Sequence, residues 1–205
     1  MVNFHLEFDK FPLQLNKKHV SVSHDTLSIE TFRCYISNIE IHYEDQSTFI
    51  QKNTYHLLDA DKPDSFVIPI TKKSDKLISK ITFNIGIDSI TNTSGAMAGD
   101  LDPINGMYWA WQSGYINMKI EGKSSSCKTR NNEFQFHIGG YLKPNYALRK
   151  KVINGNINGN DNINIGIDVA VFLAEIDLEK MNSIMIPGRA AMDLADISAK
   201  MFYLK

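Results

Sequence analysis

Apolar and polar positions alternate along most of this chain, the pattern of half-buried strands. In Val2–Phe8, Phe4, Leu6 and Phe8 share one face and Asn3, His5 and Glu7 the other. Lys10-Phe11-Pro12 breaks the run, and His19 to Val22 reads as a short strand. Leu27 to Tyr43 is the longest alternation. Phe32, Cys34, Ile36 and Asn38 fall on one side, with Arg33, Tyr35, Ser37, Ile39, Ile41 and Tyr43 on the other. Apolar residues on both sides predict a central strand, bent or bulged near Ser37-Asn38. Further strands are expected at Thr48–Ile50, Thr54–Leu58, Phe66–Ile70, Leu77–Ile87, Tyr115–Ile120, Phe134–Ile138, Tyr146–Ile153 and Ile163–Leu173. Asn154 to Asn162 reads as a polar hairpin turn, in which Gly and Asn supply φ > 0. The period changes only near the end. Ala191, Leu194, Ile197 and Met201 predict a helix over Arg189–Phe202, with Asp193 and Asp196 on its polar side. A second short helix is expected over Ala174–Met181. Many short strands with turns between them and one terminal helix indicate a mainly β fold. The expected form is an antiparallel β-sandwich or barrel-like sandwich with long loops and a C-terminal helix, spanning residues 1–205 as one domain.

One stretch departs from this rhythm. After Asp88 comes a Gly, Asn, Asp and Ser-rich approach, then Met107, Tyr108, Trp109, Trp111 and Tyr115, bracketed by Gly106 and Gly114. Both tryptophans of the chain lie here. Leaving so much aromatic surface in water is costly, so this segment is either a lid on the core or a site. Asp100 and Asp102, beside Pro103, read as turn chemistry, with calcium binding as the sharper alternative.

Totals narrow the function classes. The net charge of −1 lacks the electrostatic footprint of a nucleic-acid binder or a polybasic membrane-surface protein. No apolar run approaches the roughly 20 residues that span a bilayer as a helix. Met1-Val2-Asn3-Phe4 enters strand-like sequence with no signal-peptide pattern. That suits a cytoplasmic protein or a mature exported one with an added Met1. Cys34 falls in an alternating run and Cys127 in a loop-like one, and a Cys34–Cys127 disulfide stays open.

Candidate chemistry is sparse. No GxSxG, GxGxxG or GxxxxGK[ST] occurs, and no acid, base and nucleophile assemble, so an enzyme is not expected. Six histidines are present, and none forms HxH or HExxH. His42 sits between Glu40 and Glu44 as a solvated residue, and His5 lies on the polar side of its strand. His56 and His137 stand in apolar strands, either as satisfied core histidines or as ligands for a metal such as copper.

The residues around the tryptophans resemble a known family. MYWAWQSGY at residues 107–115 and FHIGGY at 136–141 carry the likeness. FRCYISNIEI at 32–41, YHLLDAD at 55–61 and AKMF at 199–202 extend it over most of the chain. Together they resemble the MbnP family of bacterial copper-binding proteins, associated with methanobactin gene clusters. The resemblance implies an exported protein, periplasmic or on the cell surface, of mainly β structure, binding copper through histidines. It implies a tryptophan oxidised to kynurenine by a partner di-haem enzyme of the cytochrome c peroxidase type. Carried over by motif, Trp109 or Trp111 is the residue modified, with Trp109 placed first. His137 is the first ligand candidate, followed by His56 and His5. The competing expectation is a module without metal, using the aromatic loop to hold a ligand or a protein surface.

Overall fold

Residues 1–21, 24–70 and 74–205 are described by the computed structural model. The fold is mainly β, as the alternation predicts, with short helices and no closed barrel. Nine strands position everything below: β1 Val2–Phe8, β2 Thr26–Tyr43, β3 Tyr55–Asp59, β4 Leu77–Ile85, β5 Gly114–Ser124, β6 Glu133–Gly139, β7 Arg149–Asn158, β8 Ile163–Asp168 and β9 Phe202–Leu204. The helices are α1 Ser89–Thr93, α2 Val169–Leu173 and α3 Arg189–Ser198.

The larger sheet is built on β2. Along Leu27–Cys34 it pairs with β5, and along Ile36–Tyr43 with β4, both antiparallel. Outward from these lie β6 and β7, and β2 also pairs with Lys18–Val20, β3 and Thr48–Ile50. The expected strand at His19–Val22 is therefore Lys18–Val20, and Val22 lies outside the described residues. The expected bulge is present. Asn38 has φ +49° and the register shifts between Ser37 and Glu40. An extra residue there reverses the alternation. Phe32, Cys34 and Ile36 before it, and Ile39, Ile41 and Tyr43 after it, consequently face one core.

A smaller sheet covers that core. β1 and β8 run parallel in register from Val2 opposite Ile163 to Glu7 opposite Asp168, and β9 pairs antiparallel with β8. The mostly antiparallel design thus includes a parallel pair that joins the two ends of the chain. Phe4 and Phe202 of this sheet meet Phe83 of β4 edge-on, with ring centroids 5.7 and 5.5 Å from it. Such pairs contribute roughly 0.5–1.5 kcal/mol beyond the area they bury. Cys34 and Cys127 lie in the same core as free thiols. No helix among the described residues is long and apolar enough to cross a membrane.

Several boundaries differ from expectation. The strand beginning at Ile163 ends at Asp168 rather than Leu173, because Asp168 caps α2 by accepting from Ala170 N–H at 3.1 Å. The helix expected over Ala174–Met181 does not form: α2 precedes it, and that stretch is turns. The Asn-Gly run is strand as far as Asn158, so only residues 159–162 form the polar connection. A register shift between Asn154 and Ile157 absorbs Gly155, whose missing Cβ leaves room for Leu204. In β4, Ile78 turns inward and Leu77 is exposed. The terminal helix stops at Ser198, and after a 3-10 turn Phe202 begins β9.

Asp168 is buried at 2% exposure and accepts from three backbone N–H groups: Asp9 at 2.9 Å, Lys10 at 3.2 Å and Ala170. It fixes the turn after β1 and the start of α2 together. Asp168→Ala leaves those donors without partners and is expected to cost about 1–3 kcal/mol, seen as a lower urea midpoint at unchanged slope.

Candidate functional site: the aromatic lid

β2, β3 and β5 also carry apolar residues on the side facing away from the main core. Tyr35, Leu57, Ile87, Leu101, Met107, Trp109, Tyr115 and Ile116 form a second buried cluster there. The segment from Gly86 to Ser113 folds over it as a lid. Gly86 makes the exit from β4 possible. Its φ is +110°, and an added Cβ would lie 2.3 Å from the Asn117 side chain, which accepts from Ile87 N–H at 3.0 Å. Asp88 then caps α1 by accepting from Thr91 N–H at 3.0 Å, and it receives the Tyr55 hydroxyl at 2.6 Å. Those bonds hold the Asp88 carboxyl below its usual range against the opposing effect of burial. Buried Asn92 donates to the carbonyls of Ile87 and Asp88 and accepts from Tyr115 N–H, tying α1 to β5.

The second half of the lid is fastened by charged side chains. Arg33 Nη1 donates to the Asn105 carbonyl at 3.3 Å, and Lys119 Nζ to that of Gly106 at 2.5 Å. Tyr35 and Tyr115 hydroxyls donate to the carbonyls of Asp100 and Leu101 at 2.8 and 3.0 Å. Burial pushes both phenols above the usual tyrosine range. Asp102 is turn chemistry, accepting from Ile104 N–H at 2.9 Å. Asp100 instead accepts from Leu57 N–H of β3 at 2.9 Å, a long-range bond that spacing did not reveal.

The two tryptophans separate cleanly. Trp109 pairs with Gly114 in a short hairpin and is 6% exposed, while Trp111 is 63% exposed. Their ring centroids are 5.9 Å apart at 46°. Trp109 rests on Gly139 of β6, where an added Cβ would stand 2.6 Å from its ring. Trp111 opens onto a groove of about 390 Å³ lined by Gln112, Tyr141, Leu142, Lys143 and Ile186. The pairing of β5 with β6 also sets His137, two residues before Gly139, on the lid side. There its Nε2 lies 2.7 Å from Glu121 Oε1. That bond, foremost, holds the Glu121 carboxyl below its usual range. Glu121 escaped the sequence reading because β5 was expected to end at Ile120; continued alternation through Gly122 was the available signal.

The three candidate ligand histidines do not converge. His137 stands opposite Lys119, which stands opposite Arg33, on the lid side of the sheet. His56 stands opposite Ile36 and so projects to the other face. His5 belongs to the smaller sheet, where its Nε2 lies 3.0 Å from Asn164 Oδ1. Among the described residues, no three His, Cys, Asp or Glu side chains are placed to hold a metal ion. A copper centre shared by His137, His56 and His5 therefore does not fit this arrangement. His56 is distinct in one respect: its Nε2 is buried without a hydrogen-bond partner. It borders a polar cavity of about 350 Å³ that also includes Asp59, Lys62, Ser65, Asp100 and Asn105. Burial lowers its pKa and favours the neutral imidazole, with Asp100 opposing.

A family model described as MbnP matches residues 1–186. The structure of MbnP from Methylosinus trichosporium superposes with a TM-score of 0.63 at 12% identity, covering 91% of this chain and 81% of that one. At that identity the likeness is one of fold. No curated protein matches the chain.

Gly139→Ala is expected to expel the Trp109 indole from its seat and cost about 1–3 kcal/mol. Red-shifted tryptophan emission and a lower unfolding midpoint would show it. The Glu121 carboxyl has a depressed folded-state pKa, so its contribution is present above the unfolded value and is lost as pH falls through the folded one. Glu121→Gln is expected to flatten the loss of stability below about pH 4.5, measured by urea midpoints across acid pH.

Proposed function

This chain belongs to the MbnP family, and on that premise we propose that it is an extracytoplasmic copper-handling protein whose tryptophan loop is oxidised by a partner enzyme. The family is a non-catalytic one linked to methanobactin and copper. The partner in this reading is a di-haem peroxidase-like enzyme, and the product is kynurenine at Trp109 or Trp111. The observation that carries it is the pair itself: one indole buried at 6% and one open at 63%, in contact at 5.9 Å. The exposed ring is available to a macromolecular oxidant too large to enter the protein. The buried ring rests on Gly139 of the strand that carries His137, where oxidation would alter the lid from within. With two molecules of peroxide as the oxidant that the partner consumes, ring opening breaks the indole C2–C3 bond, places one oxygen on each carbon and releases two waters; hydrolysis then releases the formyl carbon as formate. An aromatic amine and a ketone remain, both able to meet a metal or a hydrogen-bond partner.

The copper part of the proposal follows the donors that are open. His5 and His137 each have a side-chain oxygen within hydrogen-bond distance of Nε2. His56 offers a buried unpaired nitrogen beside the Asp100 carboxylate, a nitrogen and oxygen set suited to Cu(II). We therefore place the first copper contact at His56, with His137 beside the lid as a separate second locus and His5 as the third.

Co-expression with a di-haem peroxidase of this family is expected to raise the mass of the peptide containing residues 107–115 by the tryptophan-to-kynurenine increment. An unmodified peptide with an active partner would reject the oxidation reading. Cu(II) paramagnetic resonance should lose nitrogen coupling in His56→Ala and keep it in His5→Ala and His137→Ala. Equal loss in all three variants, each still folded, would instead require one convergent centre.

A further inference from the structure

The lid contains aromatic rings in sequence contact with one another, and they invite reading as a path for oxidising equivalents into the protein. Trp111 touches Trp109 at 5.9 Å, Tyr108 touches Tyr115 at 5.0 Å, and Tyr115 touches Tyr35 at 6.0 Å. The hydrogen bonds argue otherwise. We propose that Trp111 and Trp109 form a self-contained hole-transfer unit that opens at the surface through Trp111 and is closed to the tyrosines beneath it. This rests on the reading of the tryptophan loop as the oxidised element and specifies where the oxidation is confined.

A phenol becomes a radical at moderate potential only when it loses its proton along with its electron. That requires a base in hydrogen-bond reach. The Tyr115 hydroxyl donates to the carbonyls of Leu101 and Gly95 and accepts from Met97 N–H. Tyr35 donates to the Asp100 carbonyl. Amide carbonyls do not take a proton near neutral pH, so both phenols are blocked. The one ring contact described for Tyr108 is with Tyr115. Tyr55 does have a carboxylate partner, Asp88 at 2.6 Å, yet no ring contact joins it to either tryptophan among the described residues. An indole differs from a phenol because it gives up an electron first and its N–H proton later. Water reaches Trp111 and hydrates the cation, whereas the same charge on Trp109 is desolvated by the lid cluster. Hole sharing moves one electron from Trp109 to Trp111 and returns it, and the charge settles on the exposed ring. Its indole proton then leaves to bulk water, giving a neutral tryptophanyl radical at Trp111.

Flash photolysis tests this without any haem partner. Photoexcited tris(bipyridine)ruthenium(II) gives an electron to hexaammineruthenium(III), and the resulting Ru(III) complex takes one electron from the protein. Transient absorption is expected to show a tryptophanyl radical that decays without passing its hole to a tyrosine. Trp111→Phe should lose most of that signal; the side chain is exposed, so the variant should fold, and circular dichroism checks that it does. A tyrosyl signal growing in as the tryptophanyl signal decays would overturn the inference, as would an undiminished signal in Trp111→Phe. The two readings fail separately. Missing kynurenine after partner treatment, with this radical pattern intact, rejects the proposed function alone, and tyrosyl radicals alongside normal kynurenine formation reject the confinement alone.

Discussion

The structure depends on an apolar surface on the side of a sheet where solvent would otherwise be. β2 buries Phe32, Cys34 and Ile36 in the main core, yet Tyr35, Leu57, Tyr115 and Ile116 cover the opposite side. Burying each such side chain is worth about 1.5–3 kcal/mol, so the sheet cannot leave them wet. The chain answers with the segment between Gly86 and Ser113. That segment is too polar and too rich in Gly and Asn to form a core of its own, and it supplies Ile87, Leu101, Met107 and Trp109 as buried apolar anchors, with Tyr108 packed against them. The rest of it is held by hydrogen bonds to backbone carbonyls, which irregular structure leaves unpaired.

Those fastenings explain why charged residues sit on a half-buried sheet face. Arg33 reaches the lid carbonyl of Asn105 and also pairs with Asp59 at 3.1 Å. Lys119, whose pKa burial lowers, donates to Gly106. Each cation satisfies a carbonyl at the place where the loop presses on the strands, and Glu121 and His137 continue the same polar row with their own bond. The row therefore serves the lid first, and a metal arriving at His137 would have to compete with Glu121 for Nε2.

Much of this was legible in the chain. The alternation in Val2–Phe8, Leu27–Tyr43 and Phe134–Ile138 marked strands correctly, and apolar residues on both sides of the long run required the bulge that Asn38 provides. That His137 faces away from the main core was also implicit, since its neighbours Phe136 and Ile138 face into it. What was not legible are facts of pairing. Nothing local tells that β1 lies parallel to a strand some 160 positions later, which carries His5 away from the other histidines. Nothing local sets His56 on the opposite face from His137, because that follows from the register of β3 on β2. The end of β8 was misjudged because Val169–Leu173 is apolar enough for either strand or helix. The decision belongs to Asp168, whose carboxylate is worth more as a cap and turn anchor than as one more extended residue.

The tryptophan pair is where local pattern and tertiary register meet. Two residues apart, the indoles would both face inward if the hairpin continued as strand, but Tyr108–Trp109 is its whole extent and a turn begins at Ala110. Gly139 decides which ring is kept. Its missing Cβ leaves room for an indole, and register sets it beneath Trp109 and against the Tyr115 carbonyl. Trp111 is then left to the groove beside Tyr141. The unequal exposure of two chemically identical side chains is thus a consequence of one missing Cβ. It gives the pair a polarity, solvated at one end and apolar at the other, that two equally exposed or equally buried tryptophans would lack.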